Sequence, residues 1–104
     1  MVQTAPFSHK VTSLSVPGGK LADTAGLPAL ALAAAGAMGL STFAPPLTRS
    51  GPRGVVVGLL CHGGHIVLHA IPEQSLCIVD ILAFAPSSAE RGVDVIAKRL
   101  TAPG

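Results

Sequence analysis

The stretch Val55-Val-Val-Gly-Leu-Leu-Cys-His-Gly-Gly-His-Ile-Val-Leu-His-Ala-Ile-Pro-Glu73 decides the fold. Its first part, Val55 to Cys61, is apolar without interruption, the pattern of a strand covered on both faces. His62-Gly-Gly64 is a tight connection in which glycine is free to adopt positive φ. His65 to Ile71 reads as a second strand. After Pro72-Glu-Gln-Ser75, the apolar run Leu76 to Phe84 reads as a third. Connections this short join antiparallel neighbours.

The flanking sequence supplies the second layer. Val11 to Val16 alternates as Val-Thr-Ser-Leu-Ser-Val, a short strand, and Pro17-Gly-Gly19 turns the chain. Asp23 or Thr24 is placed to cap a helix whose first turn tolerates Pro28. Leu27, Leu30, Ala31 and Ala34 recur at helical spacing, and Gly36 or Gly39 ends the helix. Leu40 to Phe43 reads as another strand, cut short by Pro45-Pro46. The proline-bearing stretch from Ala44 to Arg53 is a loop or a sheet edge. Ser87-Ser-Ala-Glu90 fits a capping box for a last helix, with Val93, Ile96, Ala97 and Leu100 as its apolar stripe. Lys98 and Arg99 suit its C-terminal end. The order predicts an α+β, two-layer sandwich: a mostly antiparallel sheet with two helices on one face. Residues 1–8 read as a flexible tail and 9–104 as one domain.

A chain of 104 residues supports one modest core. Hydrophobic residues make up 49% against 12% charged, so the chain either buries both faces of several elements or hides surface in an oligomer. Two helices can cover only one side of the sheet, which predicts a homodimer through the other. The net charge of +2 comes from scattered Lys and Arg with no Trp or Tyr to stack on bases, which argues against nucleic-acid binding. Residues Gly26 to Leu40 are apolar but shorter than a membrane span, and the N-terminal residues lack the order of a secretion signal. A cytoplasmic protein that does not enter the membrane is expected. Cys61 and Cys77 sit inside apolar runs, as buried thiols do.

The chemistry concentrates in the same central stretch. His65, Val67 and His69 share one strand face, His62 lies across the turn, and Glu73 follows Pro72 at the far end. Buried polar groups cost free energy unless paired, so this cluster points to a functional origin or its remnant. A metal-binding module built on His62, His65, His69 and Glu73 is one reading. Two histidines four apart on a strand are ~13 Å apart, too far to share one ion directly. No metal site is expected from that spacing.

These residues resemble the self-processing core of the prokaryotic S-adenosylmethionine decarboxylases, the pyruvoyl-dependent lyases of polyamine and spermidine biosynthesis. In that family a Glu-Ser pair follows the strand, the chain breaks between the two, and the serine becomes the pyruvoyl group. Ser-His-x-x-x-His-x-x-Pro-Glu is the motif. The resemblance sets the serine position on Gly64, the next histidine on His65, the processing histidine on His69, and Pro-Glu on Pro72-Glu73. The glutamate matching Glu73 contacts substrate ribose hydroxyls in the family. Leu40-Ser-Thr-Phe43 resembles the family's Thr-Ser-Thr-Phe strand. Ile78 to Phe84 resembles the strand carrying its proton-donating cysteine, whose position falls on Phe84. The adenine-stacking aromatic that should follow Phe43 is replaced by Ala44-Pro-Pro46.

Glycine has no side-chain nucleophile, so the pyruvoyl cofactor is not expected to form. The resemblance therefore implies a diverged, unprocessed pseudoenzyme. Glu73, His65 and His69 would bind a nucleoside-like small molecule, and a homodimer or an active paralogue would be the partner. An active decarboxylase processed elsewhere, at Ser75 or Cys61, is the competing enzyme reading. Cys77 lies on the opposite strand face from Phe84 and does not inherit the cysteine's role.

Overall fold

Alternation along the central strands sets one side of the sheet against a helical layer. The computed structural model describes residues 6–22 and 25–101. Five strands run as β1 (Phe7–Ser15), β2 (Leu47–Gly51), β3 (Gly54–Cys61), β4 (Gly64–Ile71) and β5 (Leu76–Phe84). They form one antiparallel sheet in the order β1-β5-β4-β3-β2. Three helices pack with it: the single turn α1 (Gly18–Leu21), α2 (Gly26–Met38) and α3 (Ala89–Thr101). A short 3₁₀ turn, Pro72–Gln74, joins β4 to β5.

One parity of each central strand faces the helices. Val57 and Leu59 of β3, Ile66 and Leu68 of β4, and Val79 and Ile81 of β5 are fully buried. They meet Leu27, Ala31 and Ala34 of α2 and Ile96 and Leu100 of α3 in one core. Each such Val, Leu or Ile contributes about 1.5–3 kcal/mol by leaving water. Alanines on the inner side of α2 keep that helix close to the sheet. At Gly92 of α3, the space a Cβ would occupy is already taken by Met38 and Ile81.

Several expectations are corrected. The first strand begins at Phe7, inside the stretch read as a tail, because its edge pairs with β5 from Phe7↔Phe84 onward; residues 1–5 lie outside the described residues. Asp23 and Thr24, the expected caps, also lie outside them. Leu40 to Phe43 is not a strand. Only Thr42 bridges to Cys61, and the edge strand is instead Leu47–Gly51, paired to β3. The helix after Gly26 does end at Gly39, whose φ of +72° suits glycine.

The capping box at α3 is replaced by bonds across the fold. Ser8 Oγ of β1 accepts from the Ala89 N–H at 2.9 Å, while Ser87 Oγ donates to the Met38 carbonyl at 2.7 Å. The start of α3 is thereby tied to the sheet, and the segment before it to the end of α2. No described helix is long and apolar enough to cross a membrane.

Val55 to Cys61 is covered on one face only within a single chain. The other parity is open, with Val56 and Leu60 exposed. Register carries this open face across the sheet: Leu47 on β2, Val67 on β4, Leu82 on β5, and Phe7 and Val11 on β1 share it. It is a broad apolar surface with a polar centre.

Candidate functional site

The polar centre is built by three strands. His9 on β1 and His65 on β4 both lie opposite Leu82 of β5, so the two histidines flank β5 in one row. Asp80 sits two residues back on β5, on the same face. Both imidazoles turn Nε2 to a single carboxylate oxygen, Asp80 Oδ1, at 2.9 Å from His9 and 3.3 Å from His65. An ionised carboxylate only accepts, so each Nε2–H donates. The His9 and His65 rings meet edge to face, 6.4 Å between centres. Partial burial pushes the Asp80 carboxyl up, but the hydrogen bonds and charges of His9 and His65 outweigh it and hold it below the ordinary aspartate value.

The other histidines go elsewhere. His69 shares the open face with His65 but donates Nε2–H to the Arg53 carbonyl at 3.0 Å, in the turn between β2 and β3. His62, in the β3–β4 turn, stacks on Phe43 with ring centres 3.8 Å apart. The run of three histidines is thus divided among three places. Sequence reading missed His9, Asp80 and Arg53. A lone carboxylate inside Leu76 to Phe84 was the available signal.

His69 and Glu73 do come together. Both line a shallow cleft of about 380 Å³ at the far end of β4, with Pro52, Arg53, Ile71 and Gln74 around them. A contiguous hollow of about 280 Å³ runs from Glu73 to Ser50 and Gly54. The cleft offers a carboxylate, an imidazole and a guanidinium at the rim of the sheet. A separate apolar cleft of about 450 Å³ lies between Phe43, Pro45, Leu47 and Leu60.

Gly64 stands at the opposite end of β4 from Glu73. The β3–β4 turn places Gly63 at φ +83°, and the Gly63 carbonyl accepts from the Phe84 N–H at 2.9 Å. Gly64 itself pairs with Ala83, so its face is the helix side while Phe84, the next residue along β5, is on the open side. A Cβ built on Gly64 would collide with the Leu82 carbonyl oxygen. Phe84 points to the open face and packs on Phe7, 5.9 Å between ring centres. Cys77 faces the helices, fully buried, and desolvation raises its thiol to about 11. The opposed parity of Cys77 and Phe84 is as the alternation implied. Cys61 is also buried, and burial pushes its thiol up.

A five-stranded antiparallel sheet backed by helices on one side, with the strand–turn–strand core intact, defines a known class. The family model described as S-adenosylmethionine decarboxylase matches residues 12–103, and the chain belongs to that family. Its fold is similar to the crystal structure of the adenosylmethionine decarboxylase from Aquifex aeolicus VF5. The TM-score is 0.77 at 23% identity, over 94% of this chain and 82% of that one. No curated protein sequence matches the chain.

Proposed function

We propose that this chain is an unprocessed, non-catalytic member of the S-adenosylmethionine decarboxylase family. On this reading it binds a nucleoside-like ligand at the His69–Glu73 cleft and pairs with a second copy through its open sheet face. The carrying observation is Gly64. The position on which the motif resemblance sets the pyruvoyl-forming serine has no hydroxyl, and the space for a side chain there is taken by the Leu82 backbone. Decarboxylation by this family's chemistry needs an electrophilic carbonyl to hold the electrons of the departing carboxylate, and no side chain here is a ketone.

Ligand binding is supported by the survival of His69, Pro72 and Glu73 at the matching motif positions and by the cleft that His69 and Glu73 share. The Glu73 carboxylate is exposed at its rim, available to accept from vicinal ribose hydroxyls. Pairing is supported by the unpartnered apolar side chains of the open face, on which a second sheet would stack at ~10 Å. An active paralogue would find the same surface. Two free, buried thiols suit a reducing cytoplasm.

Processing at another site has less support. Ser75 lies at the far end of β4 from Gly64, and Cys61 is a buried thiol whose burial disfavours the thiolate. The test is to offer S-adenosylmethionine and follow two readouts. Calorimetry should register binding while release of carbon dioxide stays at the blank. Release above the blank would overturn the non-catalytic reading, and absent binding would overturn the ligand assignment.

A further inference from the structure

We infer that His9, His65 and Asp80 form a binding site for a single divalent transition-metal ion, of the zinc type, on the open face of the sheet. The three donor atoms already converge. Nε2 of His9 and Nε2 of His65 lie 2.9 and 3.3 Å from Asp80 Oδ1, and all three atoms are within 4.8 Å of one another. Around zinc, with bonds of about 2.0–2.2 Å, tetrahedral donors stand roughly 3.3–3.5 Å apart. Closing the trio on an ion asks for side-chain shifts of about 1 Å.

The scaffold favours this over a loose surface cluster. The donors come from β1, β5 and β4, adjacent strands held in register by the backbone ladder, so their Cα positions are fixed by the sheet. Val11 and Val67 lie opposite Asp80 on either side, and Leu82 separates the histidines, giving the donors an apolar collar. Two imidazoles and one carboxylate are the donor set of borderline divalent ions, whereas magnesium and calcium prefer all-oxygen sites. A neutral imidazole carries one proton. Moving it from Nε2 to Nδ1 frees the Nε2 lone pair, and Asp80 supplies the negative charge. Three protein donors leave a fourth position for water or for a donor on whatever covers this face.

The site differs from the one that histidine spacing suggested. His62 and His69 take no part, since each is engaged elsewhere. The inference is also independent of processing and of ligand binding at Glu73.

Zinc chloride titrated into the full chain, followed by calorimetry, should show one ion per chain. Cobalt in its place should give visible d–d absorption of low-symmetry coordination. His9→Gln and Asp80→Asn should each weaken zinc binding by more than about tenfold, the least expected when a direct donor is lost. A His62→Ala/His69→Ala chain should bind as the parent does. Circular dichroism confirms folding of each variant, and Asp80→Asn keeps the side-chain shape. Absence of zinc binding, equal affinity in His9→Gln, or loss on removing His62 and His69 would each overturn the inference.

Discussion

A serine restored at position 64 brings back the hydroxyl but has no room for it. In the native backbone its Cβ would overlap the Leu82 carbonyl oxygen, and real Cβ contacts of the ordinary kind lie at 3.4–4 Å. The obstacle is backbone, so no side chain can swing aside. β4 must retreat from β5 by about an ångström at the Gly64↔Ala83 pair, where the sheet is otherwise in register. Overpacking of this kind costs about 1–3 kcal/mol, a sizeable part of the ~5–15 kcal/mol that holds a small domain folded. At roughly 4–8 °C per kcal/mol, Gly64→Ser should melt at least 4 °C below the parent. Gly64→Ala shares the Cβ and should lose a similar amount. Thermal denaturation at one fixed protein concentration measures both, because association shifts the midpoint by mass action. A Gly64→Ser chain as stable as the parent would refute the steric argument. A Gly64→Ser chain that also cleaved itself would show that the site still accommodates the family's processing chemistry.

Other outcomes follow from burial and from the open face. Cys77, with its folded thiol raised to about 11 against an unfolded value near 8.5, binds its proton more tightly when folded. Its stabilisation is therefore complete below about pH 8.5 and is lost as pH rises toward 11. Denaturant melts across that range should fall more steeply for the parent than for Cys77→Val; parallel curves would contradict this. Leu60, 68% exposed on the open face, is the position for a charge. Leu60→Asp should turn a light-scattering dimer into a monomer with no loss of helix content, and a parent that is monomeric at micromolar concentration removes the dimer outright. Glu73→Gln should weaken nucleoside binding roughly ten- to a hundredfold, since hydrogen bonds to a charged group are worth ~1.5–3 kcal/mol. Unchanged affinity by calorimetry would exclude Glu73 from the site.

The fold was legible where hydrophobic period was strong. β3, β4 and β5 carry alternating or continuous apolar residues, and α3 has a clean apolar stripe. β2 was legible only as a loop or a sheet edge, because an edge strand such as Leu-Thr-Arg-Ser-Gly pairs on one side only and buries little, so its backbone ladder leaves no apolar pattern. Leu40 to Phe43 misled for the reverse reason. Its residues suit a strand, but the chain after Gly39 only touches β3 at Thr42 before leaving. At the site, local spacing could group His65 with His69, as neighbours on one face. It could not bring in His9, which meets Asp80 across 71 residues of sequence through the β1–β5 pairing. That pairing depends on tertiary register and not on any local signal.

The central claim, an intact chain without a pyruvoyl group, is tested most directly by denaturing mass spectrometry of freshly purified protein. One species at the 10.4 kDa of the full sequence is the predicted result. Two fragments divided after Gly63, the second bearing a blocked N-terminus, would contradict it.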